Sequence, residues 1–199
     1  MDSFGTSRRA FVAFAAGAIL SLRAAANGRR DLDEMRAGRY YEFLSRKHPN
    51  SLDVNLVVRL PRSFVHYSND QANVVREFSH PRWDELQVGG NLYVFEQYSG
   101  STLNKVLPRN PRHLSVTKTK VGDLLASIRK YRFDLPATDD GLPGRYFRCQ
   151  MLAFQTGRRF VAMALGVGGA EGQTKDIDDV YVTYEPVFDL TFAMLRVEA

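Results

Sequence analysis

The chain has 199 residues, 44% of them hydrophobic and 25% charged, and a formal net charge of +5. This length fits one domain with one core, and the composition excludes disordered and fibrous proteins. With Cys149 as its one cysteine, the chain can form neither an intrachain disulfide nor a cysteine-ligated iron–sulfur cluster or zinc ribbon. The small basic surplus suits an anionic partner and, equally, an ordinary solvated surface.

The N-terminal segment has the three parts of a secretory signal in the usual order. Arg8 and Arg9 precede an apolar run that starts at Phe11, and alanines up to Ala26 provide a small-residue cleavage site. This arginine pair, placed behind a serine and two residues before Phe11, resembles the twin-arginine export signals of bacteria. The apolar run is shorter than the roughly 20 residues that a membrane-spanning helix needs.

The resemblance implies export to the periplasm or secretion, with cleavage after Ala26. It divides the chain into an export signal over residues 1–26 and a single β-rich domain over residues 27–199. The alternative for residues 1–26 is a retained basic arm.

The first half of the chain predicts one helix followed by strands. Asp31, with Glu34 three residues later, forms a capping pattern that predicts a helix over Asp31–Arg46. Apolar residues alternate over Leu52–Leu60, as in a half-buried strand. Further predictions are a short strand over Ser63–Tyr67, a loop over residues 68–91 and a strand over Asn91–Tyr98.

The second half predicts one more helix and then strands. Apolar residues from Val121 to Tyr131 recur at helical spacing, which predicts a helix over Thr119–Arg132. Three apolar runs predict strands over Arg145–Phe154, Phe160–Val167 and Val180–Val197. A glycine-rich loop separates the last two strands over Gly166–Asp179, and Pro186 predicts a bulge in the last strand. The fold class that follows is mainly β, an antiparallel β-sandwich or jelly-roll-like barrel with one or two α-helices.

Sequence motifs for catalysis, nucleotide binding and metal binding are incomplete. The glycines at Gly166 and Gly168 lack the third glycine of a dinucleotide-binding loop, because position 171 is Glu171. The four histidines are scattered along the chain without the spacing of metal ligands: His48, His66, His80 and His113. We therefore name no catalytic residue, metal ligand or cofactor. A binding protein is favoured over an enzyme, although a site built from distant residues leaves no motif.

Cys149 lies inside an apolar run that predicts a strand. Alternation places it on the same strand face as Phe147 and Met151. We expect a buried, unreactive thiol at this position.

The segment from Asn104 to Arg132 is unusually basic, with a single acid, Asp123. Its basic residues are Lys105, Arg109, Arg112, Lys118, Lys120, Arg129, Lys130 and Arg132. Such a cluster suits contacts with phosphates, and it predicts a continuous surface that binds a polyanion or nucleic acid. A solvated face with no partner is the alternative.

Two functions of different class remain open from the sequence. The first is a non-catalytic exported binding or scaffold domain with a basic surface for an anionic partner. The second rests on the tail from Asp176 to Leu190, which is similar to the last strands of jelly-roll coat proteins of small viruses. That resemblance implies a capsid subunit of a virion, self-assembly through sheet faces or edges, and a basic N-terminal arm that contacts nucleic acid.

Overall fold

The computed structural model describes residues 26–46, 48–69, 71–80, 86–108, 110–139 and 141–198. The predicted export residues Arg8, Arg9 and Phe11 lie outside the described residues. No helix in the described ranges is both long enough and apolar enough to span a lipid bilayer.

Two antiparallel sheets, three α-helices and two short 3-10 helices make up the described fold. The strands are β1 (Tyr40–Leu44), β2 (Asn55–Pro61), β3 (Val65–Tyr67), β4 (Val74–Ser79), β5 (Leu86–Phe95), β6 (Arg112–Val121), β7 (Leu124–Leu135), β8 (Arg145–Thr156), β9 (Arg159–Ala170) and β10 (Arg196–Glu198). The helices are α1 (residues 26–36), α2 (Gly100–Val106) and α3 (Thr174–Met194). One sheet has the order β1-β2-β10 and the other has the order β3-β4-β5-β9-β8-β7-β6. The mainly-β class with antiparallel sheets is thereby confirmed.

The helix α3 packs against β8 and β9 of the large sheet and against β2 of the small one. Its side chains Tyr181, Tyr184 and Phe188 are buried in the main core. Burial of an aromatic side chain of this size contributes on the order of 2 kcal/mol. We call the face of the large sheet that α3 covers the inner face and the opposite one the outer face.

The prediction of a strand over Val180–Val197 is wrong, because these residues belong almost entirely to α3. Buried positions recur three and four residues apart, from Ile177 through Val180 to Phe192, which is helical periodicity. The β-branched and aromatic residues in this stretch have high strand propensity, but packing against two sheets overrides it. The strands that carried the likeness to viral coat proteins are therefore absent from the described tail.

The predicted bulge at Pro186 is also wrong, since Pro186 lies inside α3. A proline leaves the carbonyl four residues earlier without its helical donor. That residue, Val182, is 57% exposed, so it lies on the side of the helix that water reaches.

The prediction of a helix over Thr119–Arg132 is wrong, because the hairpin of β6 and β7 occupies this segment. Gly122 sits at the turn with a φ of 58°, a left-handed conformation that glycine adopts without strain. Val121, Leu124 and Ala126 then pack into the main core, while Leu125 is 79% exposed.

The helix predicted over Asp31–Arg46 corresponds to α1, which begins before Asp31 and ends well before Arg46. It ends near Gly38, whose φ is 75°, and β1 follows. Asp31 is not a cap: it is 2% exposed within α1, where it accepts a hydrogen bond from the Ser63 hydroxyl at 2.9 Å.

The predicted loops contain regular structure. The loop predicted over residues 68–91 includes β4 and the first half of β5. The loop predicted over Gly166–Asp179 includes the end of β9 and the start of α3. The strands predicted over Leu52–Leu60, Ser63–Tyr67, Asn91–Tyr98, Arg145–Phe154 and Phe160–Val167 overlap β2, β3, β5, β8 and β9.

Candidate functional site

The outer face of the large sheet carries a groove with a volume of about 570 Å³. Residues of β3, β4, β5, β7, β8, β9 and α2 line it. The helix α3 and the small sheet pack against the inner face. On the outer face, a second apolar cluster packs against α2 and the residues that follow α2. A concavity of this size lies within the usual range for small-molecule sites, about 300–1,000 Å³.

Glycines make the middle of the groove flat. Gly89 of β5 pairs with Gly166 of β9, and Gly166 pairs in turn with Cys149 of β8. A Cβ on Gly166 would overlap the Sγ of Cys149, and one on Gly168 would overlap the Phe147 ring. The glycines therefore let the side chains of β8 lie down across β9.

Aromatic rings form one side of the groove. The Phe133 and Phe147 rings stack with centroids 4.7 Å apart and an angle of 5° between their planes. The Tyr131 ring lies 6.2 Å from Phe133, and Tyr131 is 2% exposed. Burial raises the pKa of the Tyr131 hydroxyl well above its ordinary value, so this hydroxyl stays protonated and uncharged.

Polar side chains lie on the other side of the groove. Glu77 of β4 pairs in register with Asn91 of β5, and its carboxylate accepts a hydrogen bond from the Asn69 amide at 3.0 Å. Burial raises the pKa of the neighbouring Tyr93 hydroxyl, which also has a side-chain hydrogen bond with Asn91. The Oδ1 atom of Asn91 is buried and has no hydrogen-bond partner within the described residues.

Cys149 lies in the groove rather than in the main core. Its predicted strand face is confirmed, since Cys149, Phe147 and Met151 alternate on the outer face of β8. Its side chain is half-buried, whereas the sequence predicts a buried thiol. Burial of the thiol raises its pKa to about 12, which leaves almost no thiolate at neutral pH.

The strand register divides the predicted polyanion-binding residues between the two faces. Arg129 pairs with Met151, a residue of the outer apolar cluster, so Arg129 lies on the outer face. Lys118 and Lys120 share that face, because they pair with Ser127 and Leu125. The described strands and α2 give the outer face five basic side chains and one acidic side chain, namely Lys105, Lys118, Lys120, Arg129 and Arg145 against Glu77.

The remaining predicted residues lie elsewhere. Lys130 is on the inner face, where its Nζ donates to Glu185 Oε1 of α3 at 2.6 Å. Arg132 lies directly opposite Arg112 of β6 and Arg148 of β8 in the strand register, which places all three on the inner face. Arg148 donates a hydrogen bond to Asp178 of α3 at 3.1 Å. Arg109 lies outside the described residues. The segment 105–132 is therefore not one continuous basic surface.

Sequence reasoning did not identify the groove. The sequence pattern places Gly166 and Gly168 in a predicted loop, and Gly89 falls in the loop predicted over residues 68–91. The available signal was the spacing of Gly166 and Gly168, which lie two residues apart in an apolar run and therefore on the same strand face.

The fold defines a mainly-β domain with a small sheet, a large sheet and a long helix that contacts both. A similar fold occurs in cyanobacterial PsbP (CyanoP) from Synechocystis sp. PCC 6803, with a TM-score of 0.51 and 12% identity over 80% of this chain and 92% of that one. LpqN, involved in cell envelope biogenesis of Mycobacterium tuberculosis, aligns with a TM-score of 0.44 and 8% identity over 84% of this chain and 96% of that one. Neither a protein-family model nor a curated protein matches the sequence. At these identities the likeness to PsbP concerns the fold alone.

Proposed function

We propose that this protein is an exported, non-catalytic binding domain that holds an anionic partner against the outer face of its large sheet. The main support for this proposal is the net positive charge of the outer face. Its described strands and α2 hold five basic side chains and one acidic side chain. Such a surface attracts anions through summed fields, with an affinity that falls as salt rises.

The inner face supports this choice by contrast. There Lys130 and Arg148 are already paired with Glu185 and Asp178 of α3. Lys118 and Lys120, by comparison, lie exposed on β6, an edge strand of the sheet. Lys118 and Lys120 are therefore more available to a partner than Lys130 and Arg148 of the inner face.

A binding role is also favoured over catalysis by the chemistry of the groove. Its one thiol, Cys149, has a pKa raised to about 12 by burial, which is unfavourable for a nucleophile. The export part of the proposal rests on the arginine pair Arg8 and Arg9 ahead of an apolar run.

Binding to heparin and to a generic RNA at several salt concentrations tests the proposal. The test variant replaces Lys118, Lys120 and Arg129 with glutamine. The control replaces Arg36, Lys175 and Arg196 with glutamine. These three residues are exposed on α1, α3 and β10. We expect the test variant to bind more weakly and to lower the slope of log K against log salt by about 2–3, since each neutralised phosphate contributes about 0.7–0.9. Equal binding by the test and control variants would refute the outer face as the binding surface.

A further inference from the structure

We infer that the groove on the outer face is a second binding site, which takes a small flat aromatic molecule carrying one hydrogen-bond donor. This site goes beyond the proposed anion-binding surface, because it depends on shape and hydrogen bonding rather than on charge.

The shape of the groove points to a flat ligand. Its volume is about 570 Å³, and its middle is formed by Gly89, Gly166 and Gly168, which carry no side chain. The Cys149 and Phe147 side chains occupy the space above Gly166 and Gly168 and form the floor there, and this floor stays low because the glycines beneath carry no side chain. A planar ring can approach such a floor closely, whereas a branched aliphatic body leaves gaps.

The walls point to an aromatic ligand. Phe133 and Phe147 stack in parallel, and Tyr131 continues the row at 6.2 Å from Phe133. All three line the groove. Another ring can extend this arrangement in an offset-stacked or edge-to-face geometry.

The polar side points to a hydrogen-bond donor on the ligand. Asn91 lines the groove, and its Oδ1 is a buried acceptor without a partner in the described part of the chain. A buried acceptor that stays unpaired is unfavourable, because it has lost its hydrogen bonds to water. A rotation of the Asn91 side chain that turns this oxygen toward the groove would let a ligand N–H or O–H satisfy it.

The test uses two uncharged fluorescent probes with the same rings. N-phenyl-1-naphthylamine carries one N–H, and its N-methyl derivative carries none. We expect the N–H compound to bind the unmodified protein about 5- to 10-fold more tightly, the effect of one hydrogen bond. In Asn91→Leu this preference should disappear, because the variant lacks the acceptor oxygen. Circular dichroism and thermal melting establish that each variant is folded.

Two further measurements locate the probe. Ala164→Phe places a ring in the groove, because Ala164 lines it, and should abolish binding of both probes. The amide signals of Gly89, Gly166 and Gly168 should shift on titration in a ¹⁵N-labelled sample. Equal affinity of the unmodified protein for the two probes, or unchanged binding in Ala164→Phe, would overturn the inference. Because the probes are uncharged, either failure leaves the salt-dependent binding of heparin unaffected, so the two proposals fail independently.

Discussion

Lys130 of β7 and Glu185 of α3 form an ion pair, with Nζ 2.6 Å from Oε1, that joins the large sheet to the helix covering its inner face. The preceding residue, Arg129, lies on the opposite face beside Met151. Adjacent residues of one strand thus have different roles: one contributes to packing against α3, and the other is available on the outer surface.

Lys130→Gln should therefore affect stability and not anion binding. The two side chains of the pair are 30% and 27% exposed, so we expect a loss of about 0.5–1 kcal/mol in the free energy of unfolding. A double-mutant cycle with Glu185→Gln, measured by urea denaturation, isolates the pair. Heparin affinity that falls as much in Lys130→Gln as in Arg129→Gln would contradict the division between the two faces.

Gly166→Ala should destabilise the protein, since the added Cβ would overlap both the Cys149 Sγ and the Arg148 carbonyl oxygen. We expect a loss of about 1–3 kcal/mol by chemical denaturation. Gly172→Ala is the matched control, because a Cβ there meets nothing within 4 Å. Cys149→Ala should relieve the first overlap only and rescue Gly166→Ala in part. If Gly166→Ala is as stable as Gly172→Ala, the low floor of the groove is not required.

Asp31 should make the stability depend on pH. Burial raises its pKa from an ordinary value of 3.8 to about 6, despite the hydrogen bond from Ser63. The folded pKa exceeds the unfolded one, so protonation favours the fold. The stabilisation is complete below about pH 4 and is lost as pH rises through 6.

Thermal melting of the unmodified protein and of Asp31→Asn from pH 4 to pH 8 measures this effect. The asparagine variant does not titrate, so its melting temperature relative to the unmodified protein should rise over this range. A constant difference between the two proteins would show that Asp31 titrates normally.

Arg8 and Arg9 should direct export through the twin-arginine route. Replacing both with lysine in a bacterial host should leave the protein in the cytoplasmic fraction, because paired arginines define that route. Cell fractionation and the intact mass of the exported form, with a start at Asn27, are the readouts. Delivery to the periplasm that is unchanged in the double variant would rule out the twin-arginine assignment.

Strands could be predicted from the sequence where the apolar pattern was clear. The alternation over Leu52–Leu60 overlaps β2, and the apolar runs over Arg145–Phe154 and Phe160–Val167 overlap β8 and β9. The hairpin of β6 and β7 could not, because Val121, Leu124, Leu125 and Ile128 also fit a helical period. The turn residues Gly122-Asp123 were the stronger signal, since glycine adopts the positive φ that such a turn needs.

For α3 the prediction is wrong in the opposite direction, because a strand is predicted and a helix is observed. Val180, Tyr181 and Val182 have strand propensity, and Pro186 disfavours a helix. The contacts of α3 with two sheets stabilise the helix, and a local sequence pattern carries no information about such contacts. The groove was missed for a related reason, because it is assembled from strands that are distant in the sequence.

The most direct test of the outer face as the binding surface is the reactivity of individual lysines. Acetylation with a limiting reagent, followed by mass spectrometry, compares the protein alone with the protein saturated with heparin. We expect protection of Lys105, Lys118 and Lys120, which lie on the outer face, and unchanged reactivity of Lys175 on α3. Protection of Lys175 equal to that of Lys118 and Lys120, or no protection at the outer-face lysines, would show that heparin does not bind the outer face.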